Sequence, residues 1–169
     1  CDNAGADVLS MTLLARQLLQ IGGPGARVAL VANSTPALND ITCSELVDFV
    51  AGAAAVDPAL AAYVQSGQLV CLPSGQQSTL LDLSQSGSEL NGWVQMELKS
   101  TPKEEWLVVL DGMGRSLESN WQAGQYFKEG IDVLSLAMIK SEINAQRLEA
   151  EVYDCVVRLH GAETAASAV

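Results

Sequence analysis

Residues 106–115 read Trp-Leu-Val-Val-Leu-Asp-Gly-Met-Gly-Arg, and this run decides the fold. An unbroken apolar stretch of strand length suits a strand buried on both faces, as in a parallel sheet covered by helices. Asp111, Gly112, Gly114 and Arg115 follow it directly. They therefore stand just beyond the carboxyl end of a strand, where open α/β sheets bind their ligands.

Working outward, the same pattern recurs. Residues 27–33 (RVALVAN), 68–72 (QLVCL), 133–139 (VLSLAMI) and 152–159 (VYDCVVRL) are further strand candidates, and the third of these ends at Lys140. Helical spacing of Val8, Met11, Leu14, Ala15, Leu18 and Leu19 predicts a helix over 8–21, stopped by Gly22-Gly23-Pro24-Gly25. Thr42 with Glu45 reads as a capping box opening a helix to about Ala53, and Asp57-Pro58 opens another. Helices are also expected over 86–97, 117–126 and 142–148, with a short extended piece at 80–83. Strands alternating with helices predict an α/β fold: an open, mostly parallel, doubly wound (Rossmann-like) sheet with helices on both faces. Residues 1–160 are expected to form one core and 161–169, rich in small residues, a disordered tail.

The charge narrows the partners. A net charge of −11 with only nine Lys and Arg excludes nucleic acid, which needs cations to replace phosphate counterions. A small phosphorylated metabolite stays admissible, because two or three local cations suffice for one phosphate. No apolar run reaches the roughly 20 residues of a membrane span, so no membrane partner is expected. Cys1, Cys43, Cys71 and Cys155 lie far apart with no Cys-x-x-Cys pair, which reads as reduced thiols in a reducing, cytoplasmic compartment. The chain opens without Met and with Asp2 at its edge, so it reads as the C-terminal piece of a larger protein.

The polar residues at strand ends carry the chemistry. Asp2 and Asn3 precede the first helix, Asn33, Asn39 and Asp40 follow the first strand, and Lys140 follows the fourth. Asp2, Asn3 and Asp40 can supply three hard oxygen ligands to a divalent cation, leaving room for water and substrate. Arg115 can grip a phosphate through its planar fork and Lys140 can neutralise developing charge. Gly112 and Gly114 let backbone N–H groups come close to that phosphate, and Asn33 joins them on the substrate side. Plainer roles stand beside these. Asp2 and Asn3, or Asp40, are good helix caps, and Asp7 is a first-turn acid favoured by the helix dipole.

In order and spacing, Asp2-Asn3-Ala4-Gly5-Ala6-Asp7, the run from Ala32 through Asn33 and Asp40 to Thr42, Leu107 to Arg115, and Ala137-Met138-Ile139-Lys140 resemble the damage-control phosphatases. These are metal-dependent enzymes, one subgroup of which is fused behind pantothenate kinase. The resemblance spans nearly the whole chain. It implies metal ligation by Asp2, Asn3 and Asp40, catalytic roles for Asp2 and Lys140, and a substrate loop over Gly112 to Arg115. It further implies magnesium, manganese, cobalt or nickel as cofactor, 4′-phosphopantetheine or its oxidised forms as substrate, and a pantothenate kinase domain upstream. Two other readings remain at this stage. One is a non-catalytic or truncated remnant of that domain, and the other a receiver-type phosphoacceptor module with Asp111 at its centre.

Overall fold

The computed structural model describes residues 1–123 and 130–161. The expected helix over 117–126 therefore lies partly, and the expected tail over 161–169 almost wholly, outside the described residues. The chain divides into two compact units: Cys1–Thr79 with Ser86–Leu90, and Leu80–Gln85 with Asn91–Val169. The architecture is α/β, as the alternation of strands and helices predicts.

The first unit is a two-stranded parallel sheet packed with three helices. Helix α1 (Ala6–Gly22) leads to β1 (Val28–Ala32), then α2 (Cys43–Ala54), α3 (Pro58–Gln65) and β2 (Leu69–Pro73). Val28 pairs with Leu69 and Ala32 with Pro73, so both strands end on the same rim. Thr42 caps α2 through the capping box: its hydroxyl accepts from Glu45 N–H, and the Glu45 carboxylate accepts from Thr42 N–H at 2.9 Å. Asp57 caps α3, with Pro58 where a missing N–H costs nothing. Val8 and Leu19 of α1, Leu30 of β1, Leu46 of α2, Leu60 of α3 and Leu69 of β2 share one core. Truncating such a fully buried leucine to alanine costs about 2–5 kcal/mol, so this core fixes where β1 and β2 end.

Among the described residues the second unit has three strands. Helix α4 (Ser88–Glu97), whose first three residues are counted with the first unit, precedes β3 (Leu107–Asp111), β4 (Asp132–Met138), α5 (Glu142–Leu148) and β5 (Cys155–His160). Strands β3 and β4 are parallel, with Leu107 opposite Asp132. Strand β5 runs antiparallel to β4, Val133 facing His160 and Met138 facing Cys155.

Two expectations change. The stretch over 80–83 is not extended but bends into a 3-10 turn, Leu83–Gln85, because Asp82 accepts from Ser84 N–H and from the Ser84 and Gln85 side chains. The turn after β3 is a π-helix, Met113–Ser119, that begins four residues ahead of the expected helix. All four cysteines are free thiols. Among the described residues no helix is long and apolar enough to cross a membrane.

Candidate functional site

In the first unit a short antiparallel contact gathers the oxygen-bearing residues. Ala4 N–H donates to Asn39 C=O at 2.9 Å and Ile41 N–H to Asp2 C=O at 3.0 Å, which sets Asn3 opposite Asp40. The Cys1 amine donates to Val31 C=O at 2.6 Å and holds this segment beside β1. Asn3 Nδ2 lies 2.8 Å from Asp7 Oδ2 and 3.5 Å from Asp2 Oδ2, and Asn3 Oδ1 accepts from Asn39 Nδ2. Asn33, just past β1, donates from Nδ2 to Asp40 Oδ2 at 3.2 Å. Asp2, Asn3, Asn33 and Asp40 are thus brought into one cluster.

Neither plain capping role is used. Helix α1 is capped by Gly5 at φ 101° with no side-chain bond, and α2 by Thr42, not Asp40. The first turn of α1 thus has no side-chain cap from its N-cap residue. Asp40 is 7% and Asn33 only 1% exposed, and the buried Oδ1 of Asn33 has no hydrogen-bond partner. A buried oxygen without a donor is costly, and a cation is one partner that relieves it.

Among the described residues no group of three His, Cys, Asp or Glu converges. The cluster is instead two carboxylates and two carboxamides, an all-oxygen set suited to a hard divalent cation that keeps part of its water. Asn3 can still offer a lone pair, since a carboxamide oxygen has two and Asn39 takes one. The residues present thus fit the cation that the fold family implies.

The second unit gathers the other set by itself. Gly112, at φ 95°, donates from its N–H to Leu136 C=O at 3.0 Å and opens the π-turn, a conformation only glycine adopts without strain. Ser116 returns both its N–H and its hydroxyl to Gly112 C=O, and the Ser119 hydroxyl donates to Gly114 C=O at 2.9 Å. Arg115 is 5% exposed, and its C=O accepts from the buried Asn120 side chain, which also holds Leu81 C=O. Lys140 is exposed, and its N–H meets Met113 Sδ at 3.2 Å. The ends of parallel strands β3 and β4 therefore place Gly112, Gly114, Arg115 and Lys140 in neighbouring turns. π-Turns of this kind recur at functional sites.

The sequence profile of the damage-control phosphatase ARMT1-like domain matches residues 1–156. The chain belongs to this family. Pantothenate kinase 2 of Arabidopsis thaliana is 38% identical over 180 residues, covering 93% of the chain and 18% of that protein. A damage-control phosphatase of the same plant is 35% identical over 160 residues, covering 94% of the chain and 39% of that protein. A 4′-phosphopantetheine phosphatase of Mus musculus is 27% identical over 199 residues, covering 93% and 23%. The chain thus spans well under half the length of each of these relatives.

Three residues named in the sequence have contacts here that the sequence reading did not give them. Asp7, four residues after Asn3, is the acceptor that turns the Asn3 amide. Asn39 braces the Asn3 oxygen, and Asn33 grips Asp40 from below. No spacing rule signals the Asn3–Asp7 contact, because Asn3 stands in a bridge to Asp40 ahead of α1.

Proposed function

We infer that this chain carries the cation-binding part of a divalent-metal-dependent phosphomonoester hydrolase of the damage-control family. The observation carrying the inference is the buried pair Asn33–Asp40, with an unpartnered carboxamide oxygen, set beside Asp2 and Asn3. Asp2, Asn3 and Asp40 are assigned as metal ligands, with Asn33 positioning Asp40 and lending Oδ1. When bound, the cation supplies positive charge to the phosphoryl oxygens and acidifies bound water.

The remaining steps belong to the chain's own groups. Asp2 is assigned as the catalytic carboxylate, and the N–H groups opening α1 as donors to a phosphate oxygen. By family resemblance Lys140 takes the catalytic lysine's role, and Gly112, Gly114 and Arg115 take the substrate phosphate. Water and phosphomonoester give alcohol and inorganic phosphate.

We assign the substrate to phosphorylated metabolites of the 4′-phosphopantetheine kind. The named activity of the mouse relative and the kinase relatives support this. In the parent protein we place the chain downstream of a pantothenate kinase domain, with residues 1–160 forming the C-terminal part of the phosphatase domain.

The test is hydrolysis of p-nitrophenyl phosphate with magnesium, manganese, cobalt or nickel, and after chelation. Asp40→Ala should fall to the metal-free rate, and Lys140→Ala should lower kcat with the cation still bound. Activity indifferent to chelation or to Asp40→Ala would overturn the assignment.

A further inference from the structure

We propose that the two rim loops of the first unit form the subsite for the uncharged, hydroxyl- and amide-bearing body of the substrate. The inference rests on the phosphatase reading above and adds to it the part of the molecule that is selected.

A cavity of about 500 Å³, open to solvent, is lined by Ser34, Thr35, Gly75, Gln76, Gln77 and Ser78. These residues follow the carboxyl ends of β1 and β2, the rim at which such sheets bind ligands. Ser34 is the chain neighbour of Asn33, whose side chain holds Asp40, so the cavity and the cation cluster share one stretch of backbone. Its volume falls within the roughly 300–1,000 Å³ of small-molecule sites and exceeds what a phosphate alone would fill.

The lining chemistry restricts the occupant. Every side chain there is a hydroxyl or a carboxamide, apart from the glycine, and none is charged. A second anionic group would find no countercharge, in a chain that already carries −11. A neutral body with hydroxyls and amides matches the donors and acceptors on offer.

The subsite is also built in advance. Ser34 N–H donates to Gln76 C=O at 2.8 Å, Gly75 N–H to the Ser34 hydroxyl at 2.8 Å, and the Thr35 hydroxyl to Gln77 Oε1 at 2.8 Å. Behind them buried Ser74 accepts from Gln76 N–H at its hydroxyl and from Gly87 N–H at its C=O. Gly75 at φ 81° packs against Gly87 so closely that an added Cβ would lie 2.4 Å from Gly87 Cα. A loop already fixed in this way has little conformational freedom left to lose when a ligand arrives. Gln77, whose oxygen is engaged by Thr35, keeps its Nε2 donors for that ligand.

The experiment compares kcat/KM for 4′-phosphopantetheine and p-nitrophenyl phosphate, with manganese, in the wild-type chain, Gln77→Leu and Thr35→Val. Both positions are exposed, so the fold should survive. Each substitution should shift the ratio of the two kcat/KM values about tenfold against 4′-phosphopantetheine, through KM, as expected for one lost hydrogen bond. An unchanged ratio would overturn the subsite. If the wild-type chain hydrolyses neither substrate, the phosphatase reading fails and the cavity is judged by binding alone. Pantetheine should then shift the backbone amide resonances over 75–78, and Gln77→Leu should weaken the shifts; no shift would overturn the subsite.

Discussion

Replacing Asn33 by Asp tests the cation cluster at its most constrained point. The change keeps the side-chain volume but turns a donor facing Asp40 into a second carboxylate, 3.2 Å from the first and equally buried. Two unit charges at that distance repel by about 5 kcal/mol at an effective dielectric of about 20. A cheaper escape is for one carboxyl to hold a proton, which at pH 7 costs about 4 kcal/mol relative to an ordinary aspartate near 3.9. The cation-free variant should thus lose up to about 4 kcal/mol at pH 7. At pH 5, where the proton is easier to keep, the loss falls to about 1.5 kcal/mol.

At about 2–4 °C per kcal/mol for a chain of this length, the protein should melt about 8–16 °C lower at pH 7. A divalent cation reverses the sign of the local field. Present at about a hundred times its Kd, it returns about 2.7 kcal/mol, and the extra carboxylate should make the variant respond at lower concentration than the wild type. Far-ultraviolet circular dichroism melts in chelator and in manganese, at both pH values, read all of this, with Asn33→Leu as the uncharged control. The reasoning is refuted if Asp at this position costs no more than Leu, if the cost does not fall with pH, or if manganese lifts variant and wild type alike.

Three further outcomes follow from the same geometry. Thr42→Ala removes the acceptor of Glu45 N–H and should cost about 1 kcal/mol in thermal unfolding, whereas Thr42→Ser should retain most of it. Asp57 is held below the usual carboxylate range by the Leu60 N–H, then by Arg16 and the Ala59 N–H, against some burial. A depressed carboxyl gives stability that is full above about 3.8 and lost as pH falls through its folded value, so Asp57→Asn should flatten the acid limb below pH 4. Burial, with neighbouring Cys43, pushes the Cys71 thiol up to about 11, while Cys155 is exposed. A disulfide reagent at pH 8 should label Cys155 first and leave Cys71 unmodified until unfolding, as tryptic mass mapping would show.

How far the sequence could be read depends on how local each determinant is. The helix starts at Thr42 and Asp57, the glycine stop after α1 and the apolar runs of β1 to β4 are set by residues within a few positions of one another. They stand where the pattern puts them. The direction of β5 was not within reach, because the 16 residues between β4 and β5 are enough for either a parallel or an antiparallel return. Nor was the turn after β3. Its i→i+5 winding depends on Gly112 at φ 95° and on Asn120 reaching back to Arg115 and Leu81, a contact 39 residues away in sequence. The same holds for Asn39 bracing Asn3 across 36 residues, which no spacing rule anticipates.

The capping question shows where sequence and structure carry the argument together. Asp, Asn and Thr all start helices well, so pattern alone leaves Asp2, Asn3 and Asp40 with a sufficient local task. The structure gives that task to Gly5 and Thr42. Asp40 is then a buried carboxylate released from capping and held by Asn33, and Asn3 is turned by Asp7 and Asn39 rather than by a helix end. Ordered acidic and amide groups, one of them with a buried oxygen lacking any donor, are costly to hold together. A ligand that binds only the folded state offsets such a cost, and the function proposed above gives that part to a hard cation.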